Sequence, residues 1–253
     1  FDCGPATTWK LSRAGISTTE IDNVFFTHHH FDHDVDYPCF LLTRWDQGID
    51  KVKKLEVFGP APTESMTEGI LGEKGLWNQD WKARVYHPAG QAVYENRGGK
   101  LPRRPPEVLA TDIGPNNTFK FKDWEIESAT AVHVQPYMDS LAYRLNTPDG
   151  SVVFTGDTRP CQSVQDLATN ADMLLCMCWD DQDIVDVSGE SSVVCGTLDA
   201  ARMAQKAGVK KLVLVHVGQT LDENTARGKA IKDIQEIYDG EIVFSKELSS
   251  IDI

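Results

Sequence analysis

Three of the seven histidines in the 253-residue chain stand in a row at His28, His29 and His30, followed by Phe31, Asp32 and His33. Imidazoles and carboxylates at this density are metal-ligand chemistry. The cluster follows the apolar run Val24-Phe25-Phe26, which places it where a buried strand emerges into a loop. In extended chain, side chains alternate, so His28 and His30 share a side and His29 points away as a bystander. Asp32 and His33, beyond the bend, can address a second point, so one loop could serve two ions. A histidine-rich loop can also be plain polar surface, but four ligand-type residues in six positions behind an apolar strand argue against that. Zinc takes four or five N, O or S ligands, so more must come from elsewhere. His133 follows Ala129-Thr130-Ala131-Val132, Asp157 lies in Thr155-Gly156-Asp157-Thr158, and His216 ends the run Lys211–Val215. Each sits at or just past the C-terminal end of an apolar run, where ligand sites gather in α/β proteins. A pair of divalent ions there would activate water for hydrolysis.

These residues need elements to hold them. Runs rich in β-branched and aromatic residues predict strands at 23–27, 54–58, 124–129, 142–145, 151–155, 173–177, 211–215 and 241–244. Amphipathic stretches predict helices at 7–14, 37–45, 161–168, 197–207 and 222–238, with Thr197 capping and Gly208 stopping the fourth. In the last, Ala226, Ala230, Ile234 and Ile237 recur on one face, while Lys229, Lys232 and Asp233 face water. Alternating strands and helices make a layered α/β protein. Residues 61–118 break the rhythm with Gly98-Gly99, Pro105-Pro106 and the exposed-looking aromatics Trp77, Trp81, Tyr86 and Tyr94. This stretch reads as an insertion, a short helix at 62–70 and irregular chain afterwards, forming a lid or a homodimer contact.

The set resembles the metallo-β-lactamase-fold hydrolases, whose HxHxDH motif is matched by His28, His30, Asp32 and His33, and whose later ligands are matched by His133, Asp157 and His216. The resemblance runs from the Asp2-Cys3-Gly4 turn to the strand at 241–244. It implies one domain over 1–253, a four-layer αββα sandwich. The family has strands before the Asp-x-Gly turn, so the expectation is that the first N-terminal strands lie upstream of Phe1. Carried over, one ion falls to His28, His30 and His133, the other to Asp32, His33 and His216, with Asp157 bridging and a hydroxide between the ions as nucleophile. Zinc is the first expectation, with manganese or iron as alternatives. Asp32 is the candidate for orienting the nucleophile or passing a proton, and Tyr137 for an oxyanion donor. Trp179, Trp77 and Trp81 are candidate substrate walls. The branch most resembled is that of ribonuclease Z. Those enzymes carry a His-Glu pair after the strand matching 173–175, where this chain reads Cys176-Met177-Cys178-Trp179-Asp180-Asp181.

That departure, the 38 acidic side chains against 25 basic ones, and the lack of a basic flexible arm set the substrate expectation. It is a small organic molecule, an ester, lactone, β-lactam, phosphodiester or aryl halide, with nucleic acid disfavoured. A ribonuclease Z-like phosphodiesterase is the alternative, and a non-catalytic, metal-stabilised binding module the alternative of another class. No apolar run reaches the ~20 residues of a bilayer helix, so no membrane partner is expected. Six cysteines without CxxC spacing fit reduced thiols, with Cys176 and Cys178 packed in the core and a cytoplasmic location.

Overall fold

In the computed structural model, which describes residues 1–49 and 51–253, the apolar runs at Val24 and Val57 become neighbouring parallel strands. The chain divides into two units, Phe1–Ile113 and Gly114–Ile253. The first contains α1 (Thr7–Arg13), β1 (Asn23–Phe25), α2 (Phe31–Asp34), α3 (Tyr37–Gly48), β2 (Leu55–Gly59), α4 (Thr63–Leu71), α5 (Asn78–Tyr86), α6 (Pro88–Asn96) and β3 (Val108–Asp112). Its sheet has the order β1-β2-β3, all parallel, with Val24 opposite Val57 and Val57 opposite Ala110. Phe26, Leu55 and Val57 pack with Tyr37, Phe40 and Leu41 of α3 and with Ile70 and Leu71 of α4. Burying such side chains is worth about 1.5–3 kcal/mol each.

The second unit contains β4 (Thr118–Lys120), β5 (Glu125–Ala131), β6 (Ser140–Thr147), β7 (Gly150–Phe154), α7 (Gln162–Leu167), β8 (Met173–Met177), α8 (Gln182–Ser188), α9 (Thr197–Ala207), β9 (Lys211–Val215), α10 (Asn224–Gln235) and β10 (Glu241–Phe244). Its seven strands run in the order β10-β9-β8-β7-β6-β5-β4. Strands β7 to β10 are mutually parallel, and two antiparallel pairings, β7 with β6 and β6 with β5, turn β5 back to the direction of β7. The chain therefore leaves β5, β7, β8 and β9 at one edge of the sheet. Ala200, Ala201 and Ala204 let α9 pack closely on Leu174, Leu212 and Leu214.

Several expectations change. Gly196 is the N-cap of α9, and the Thr197 hydroxyl instead accepts from the backbone N–H of Gln182 at 3.1 Å. Gly208 stops α9 in the left-handed region, as expected. The stretch 61–118 is not irregular after residue 70. It forms α5, α6 and the sheet strand β3, and two of its aromatics are core residues. Trp81 is 2% exposed and its Nε1–H donates to the Leu71 carbonyl at 2.9 Å, so it cannot be a substrate wall. Tyr94 is equally buried. All six cysteines are free thiols. Among the described residues no helix is long and apolar enough to cross a membrane.

What orders the insertion is charge concentrated on one carboxylate. Asp46 accepts hydrogen bonds from Arg103 at 2.7 Å, Arg97 at 2.8 Å and Arg84 at 3.4 Å. Arg103 is itself buried, its guanidinium 4.1 Å from the centre of the Trp45 ring and 5.0 Å from that of Tyr94. Burial alone would raise the Asp46 carboxyl, but the hydrogen bonds from Arg103 and Arg97 outweigh it and hold the group below the usual carboxylate range. Its contribution to stability is therefore complete above pH ~4 and lost as pH falls through the depressed folded value. Asp46→Ala, which leaves Arg103 buried without its acceptor, is expected to cost about 2 kcal/mol at pH 7. In urea titrations at pH 7 and pH 3 the difference from wild type should shrink at the lower pH.

Candidate functional site

The first unit brings His28, His30, Asp32 and His33 together just past the end of β1. His28 is fully buried and His33 nearly so. His28 Nε2 lies 3.0 Å from His30 Nδ1. Two nitrogens at 2.0–2.1 Å from a tetrahedral ion stand about 3.3 Å apart, so this pair is already at ligand spacing. The Asp32 Oδ2 atom is 3.6 Å from His33 Nε2, and its carboxylate is partly exposed.

Each buried imidazole is fixed from behind. The Thr27 hydroxyl donates to the Asp2 carboxylate at 2.9 Å, which leaves its oxygen to accept from His28 Nδ1 at 3.0 Å. Asp2 Oδ2 also accepts from His33 Nδ1 at 2.8 Å. Both rings are thereby held with the proton on Nδ1 and the lone pair on Nε2, the arrangement in which an outer partner orients a metal-binding histidine. Asp2 is marked by the sequence pattern only as part of a turn and not as a support for the ligands. Its own backbone takes a positive φ, and its N–H donates to the Phe25 carbonyl at 2.9 Å. Gly4 completes the clamp, because a Cβ there would strike the Asp32 carbonyl. The backbone pairs Cys3 N–H with the His33 carbonyl at 2.6 Å.

His29 does point away from the ligands, but it is not idle. Its Nδ1 meets Asp34 at 3.2 Å, its Nε2 meets the Thr63 hydroxyl at 2.8 Å and the Pro60 carbonyl at 3.1 Å, and its ring packs against Phe26. It pins the ligand loop to the end of β2.

The second unit supplies its own convergence from the common edge of β5, β7 and β9. Asp157 Oδ2 is 3.4 Å from His216 Nε2 and 4.0 Å from His133 Nε2. Here too the far side is fixed, with His133 Nδ1 donating to the Val193 carbonyl at 2.7 Å. Val132 N–H donates to the Thr158 hydroxyl at 3.0 Å, which ties the His133 loop to the Asp157 loop. His216 takes a left-handed backbone conformation, with φ of 53°. Gly218 N–H then donates to the Trp179 carbonyl at 2.8 Å, in an approach so close that a Cβ on Gly218 would collide with that oxygen. Trp179 stands with its ring centre 5.7 Å from that of His216, beside the cluster. Tyr137 is 94% exposed, so nothing preorganises its hydroxyl as an oxyanion donor. Trp77 is exposed at the start of α5. Cys176 and Cys178 are buried, as expected.

In both units the groups gathered are imidazole nitrogens and carboxylate oxygens, the side-chain types that could hold a metal ion. The comparisons agree. The family model described as a beta-lactamase superfamily domain matches residues 1–217. The chain belongs to that superfamily and is a metal-dependent hydrolase. It is 26% identical to a ribonuclease Z from Methanosarcina acetivorans in an alignment covering all of this chain and 88% of that one. Among solved structures it resembles the metallo-beta-lactamase fold protein YhfI from Bacillus subtilis, with a TM-score of 0.68, 20% identity, and 97% and 83% of the two chains covered. The short form of human tRNase Z gives a TM-score of 0.67 and 18% identity, with 100% and 88% covered. The fold is the expected α/β metallo-β-lactamase fold, and the superfamily implies divalent metal ions.

The whole-length match to ribonuclease Z overturns the expectation of a small organic substrate with nucleic acid disfavoured. The physical reason is range. Charges more than about 10 Å from a contact are screened, so the average over the surface does not decide what one groove accepts.

Two variants separate ligand support from fold support. Asp2→Asn, unable to serve both Thr27 and His33 as a charged acceptor, should weaken metal retention by about 10–100-fold in a chelator competition while the circular dichroism spectrum is kept. His29→Ala should retain its metal content yet lower the unfolding free energy by about 1–3 kcal/mol, measured by urea titration.

Proposed function

We propose that this chain is a ribonuclease Z-like phosphodiesterase that cleaves a transfer-RNA precursor, with zinc as its metal. The observation that carries the reading is the match to ribonuclease Z over the full chain, joined to a seven-residue ligand set whose order follows the family's. His28, His30 and His133 are assigned to one ion, Asp32, His33 and His216 to the other, and Asp157 to both. An imidazole-rich, oxygen-containing donor set suits zinc. When bound, such an ion pair lowers the pKa of water to about 7 and balances charge on the attacked and leaving oxygens.

The chain's own contribution is to hold direction and move protons. Asp2, through Thr27 for His28 and directly for His33, and the Val193 carbonyl for His133 hold the Nδ1 protons, so the nitrogen each ring presents to an ion is Nε2. Asp32, with its partly exposed carboxylate beside His33, is assigned the proton transfer. Asp157, buried and directed at two imidazoles, is assigned a ligand role. Trp179 is the aromatic group placed to meet substrate next to His216. Since Cys176–Asp181 holds no His-Glu pair, Asp32 is assigned to accept the proton that the attacking water loses and to pass it to the leaving oxygen.

Incubating the zinc-loaded protein with a transfer-RNA precursor transcript should give a discrete cleavage product on a denaturing gel. EDTA should abolish it and added zinc restore it. His133→Ala should lose about one of the two bound ions by metal analysis and at least 100-fold in rate. Intact precursor under full metal loading would refute the assignment.

A further inference from the structure

Away from the ligand loop, the first unit carries a concentration of positive charge that the overall balance hides. Residues 44–54 and 97–107 hold eight basic side chains against three acidic ones, in a chain of net charge -13. Some of that charge is spent internally, since Arg97 and Arg103 bond Asp46. Four of the other six lie at a cleft of about 210 Å³ between the end of α3 and the starts of β2 and β3. Arg44, Lys53, Lys54 and Arg104 line it, with Trp45 and the Pro105-Pro106 pair. Asp22 holds Arg44 at 2.8 Å and Lys53 at 3.3 Å, and Glu107 holds Lys54 at 2.7 Å. Arg104 has no ion pair among the described residues. Its backbone carbonyl accepts from Trp45 Nε1–H at 3.0 Å, which fixes the indole at the cleft wall.

We infer that this cleft docks single-stranded RNA, seating one nucleotide with its base against Trp45 and the prolines and its phosphates on Arg104 and Lys53. This rests on the ribonuclease reading, for which it supplies a substrate contact outside the metal site. Cations tracking a backbone beside an aromatic platform are the recurring means of holding single strands. The volume lies below the 300–1,000 Å³ of ordinary small-molecule pockets and suits one flat ring with its phosphates outside. The position is also informative. The cleft opens at the N-terminal ends of β2 and β3, whereas the ligand loop follows the C-terminal end of β1, and these strands are parallel. The five residues of β2 separate the two edges by about 17 Å. A bound strand would therefore add affinity without entering the reaction site.

The test uses the full chain and a 5′-labelled single-stranded RNA, followed by fluorescence anisotropy in EDTA over a range of salt, with precursor cleavage and bis(4-nitrophenyl) phosphate turnover measured separately in zinc. Arg104→Ala with Lys53→Ala should weaken RNA binding about tenfold and lower the salt slope by about 1.4, two phosphates' worth for a single strand. Turnover of the small phosphodiester should not change. Glu107→Gln, at an exposed position, should tighten RNA binding two- to threefold by releasing Lys54. Wild-type affinity and slope in both variants, or no RNA binding by the wild type, would overturn the docking site. Binding of free AMP as tight as that of RNA would replace it with a mononucleotide site. If the double variant loses RNA affinity but no precursor is ever cut, the docking stands and the ribonuclease reading falls.

Discussion

An imidazole ligates only through a nitrogen that carries no proton and points at the right place, and both conditions are met from the opposite side of the ring. In the first unit that support comes from a single carboxylate. Asp2 holds His33 directly and His28 through the Thr27 hydroxyl. In the second unit a backbone carbonyl at Val193 does the same for His133. Remove those acceptors and each ring can rotate or exchange tautomers, and a precise ligand set becomes a loose polar cluster. The local architecture follows from this requirement. The positive φ at Asp2 and the missing side chain at Gly4 keep the turn close enough to the ligand loop for the bonds to form.

The two sheets deliver ligands by the same device in different forms. A short parallel sheet ends β1 at His28, and its neighbour β2 ends where His29 anchors the loop at Pro60. In the mixed sheet, paired reversals through β6 return β5 to the direction of β7 and β9, so three ligand loops share an edge. Rigid strands set the positions and short loop contacts such as Val132 with Thr158 trim them.

Much of this was legible in the sequence because apolar periodicity and ligand chemistry are local properties. The strands at 173–177, 211–215 and 241–244 match observation end to end, each a β-branched or aliphatic run bounded by turn residues. The seven ligand candidates were legible because few roles other than metal binding explain four such residues behind an apolar strand. Helices α5 and α6 were not, since what orders them is non-local: Trp81 reaching the Leu71 carbonyl, and three arginines converging on Asp46 from distant positions. Asp2 was invisible as a support because nothing in its neighbours says that its carboxylate will meet residues 27 and 33. The substrate was misjudged for a related reason. A net charge is a sum, and it conceals that residues 44–54 and 97–107 differ in sign from the whole.

The return of β5 to the direction of β7 and β9 has a kinetic consequence. His133, Asp157 and His216 meet only when strands far apart along the chain have all paired, and such non-local closures come late and slowly in folding. A nascent chain still lacking β9 holds no more than two of that unit's three ligands. The geometry of that cluster is therefore among the last features that folding of this unit fixes.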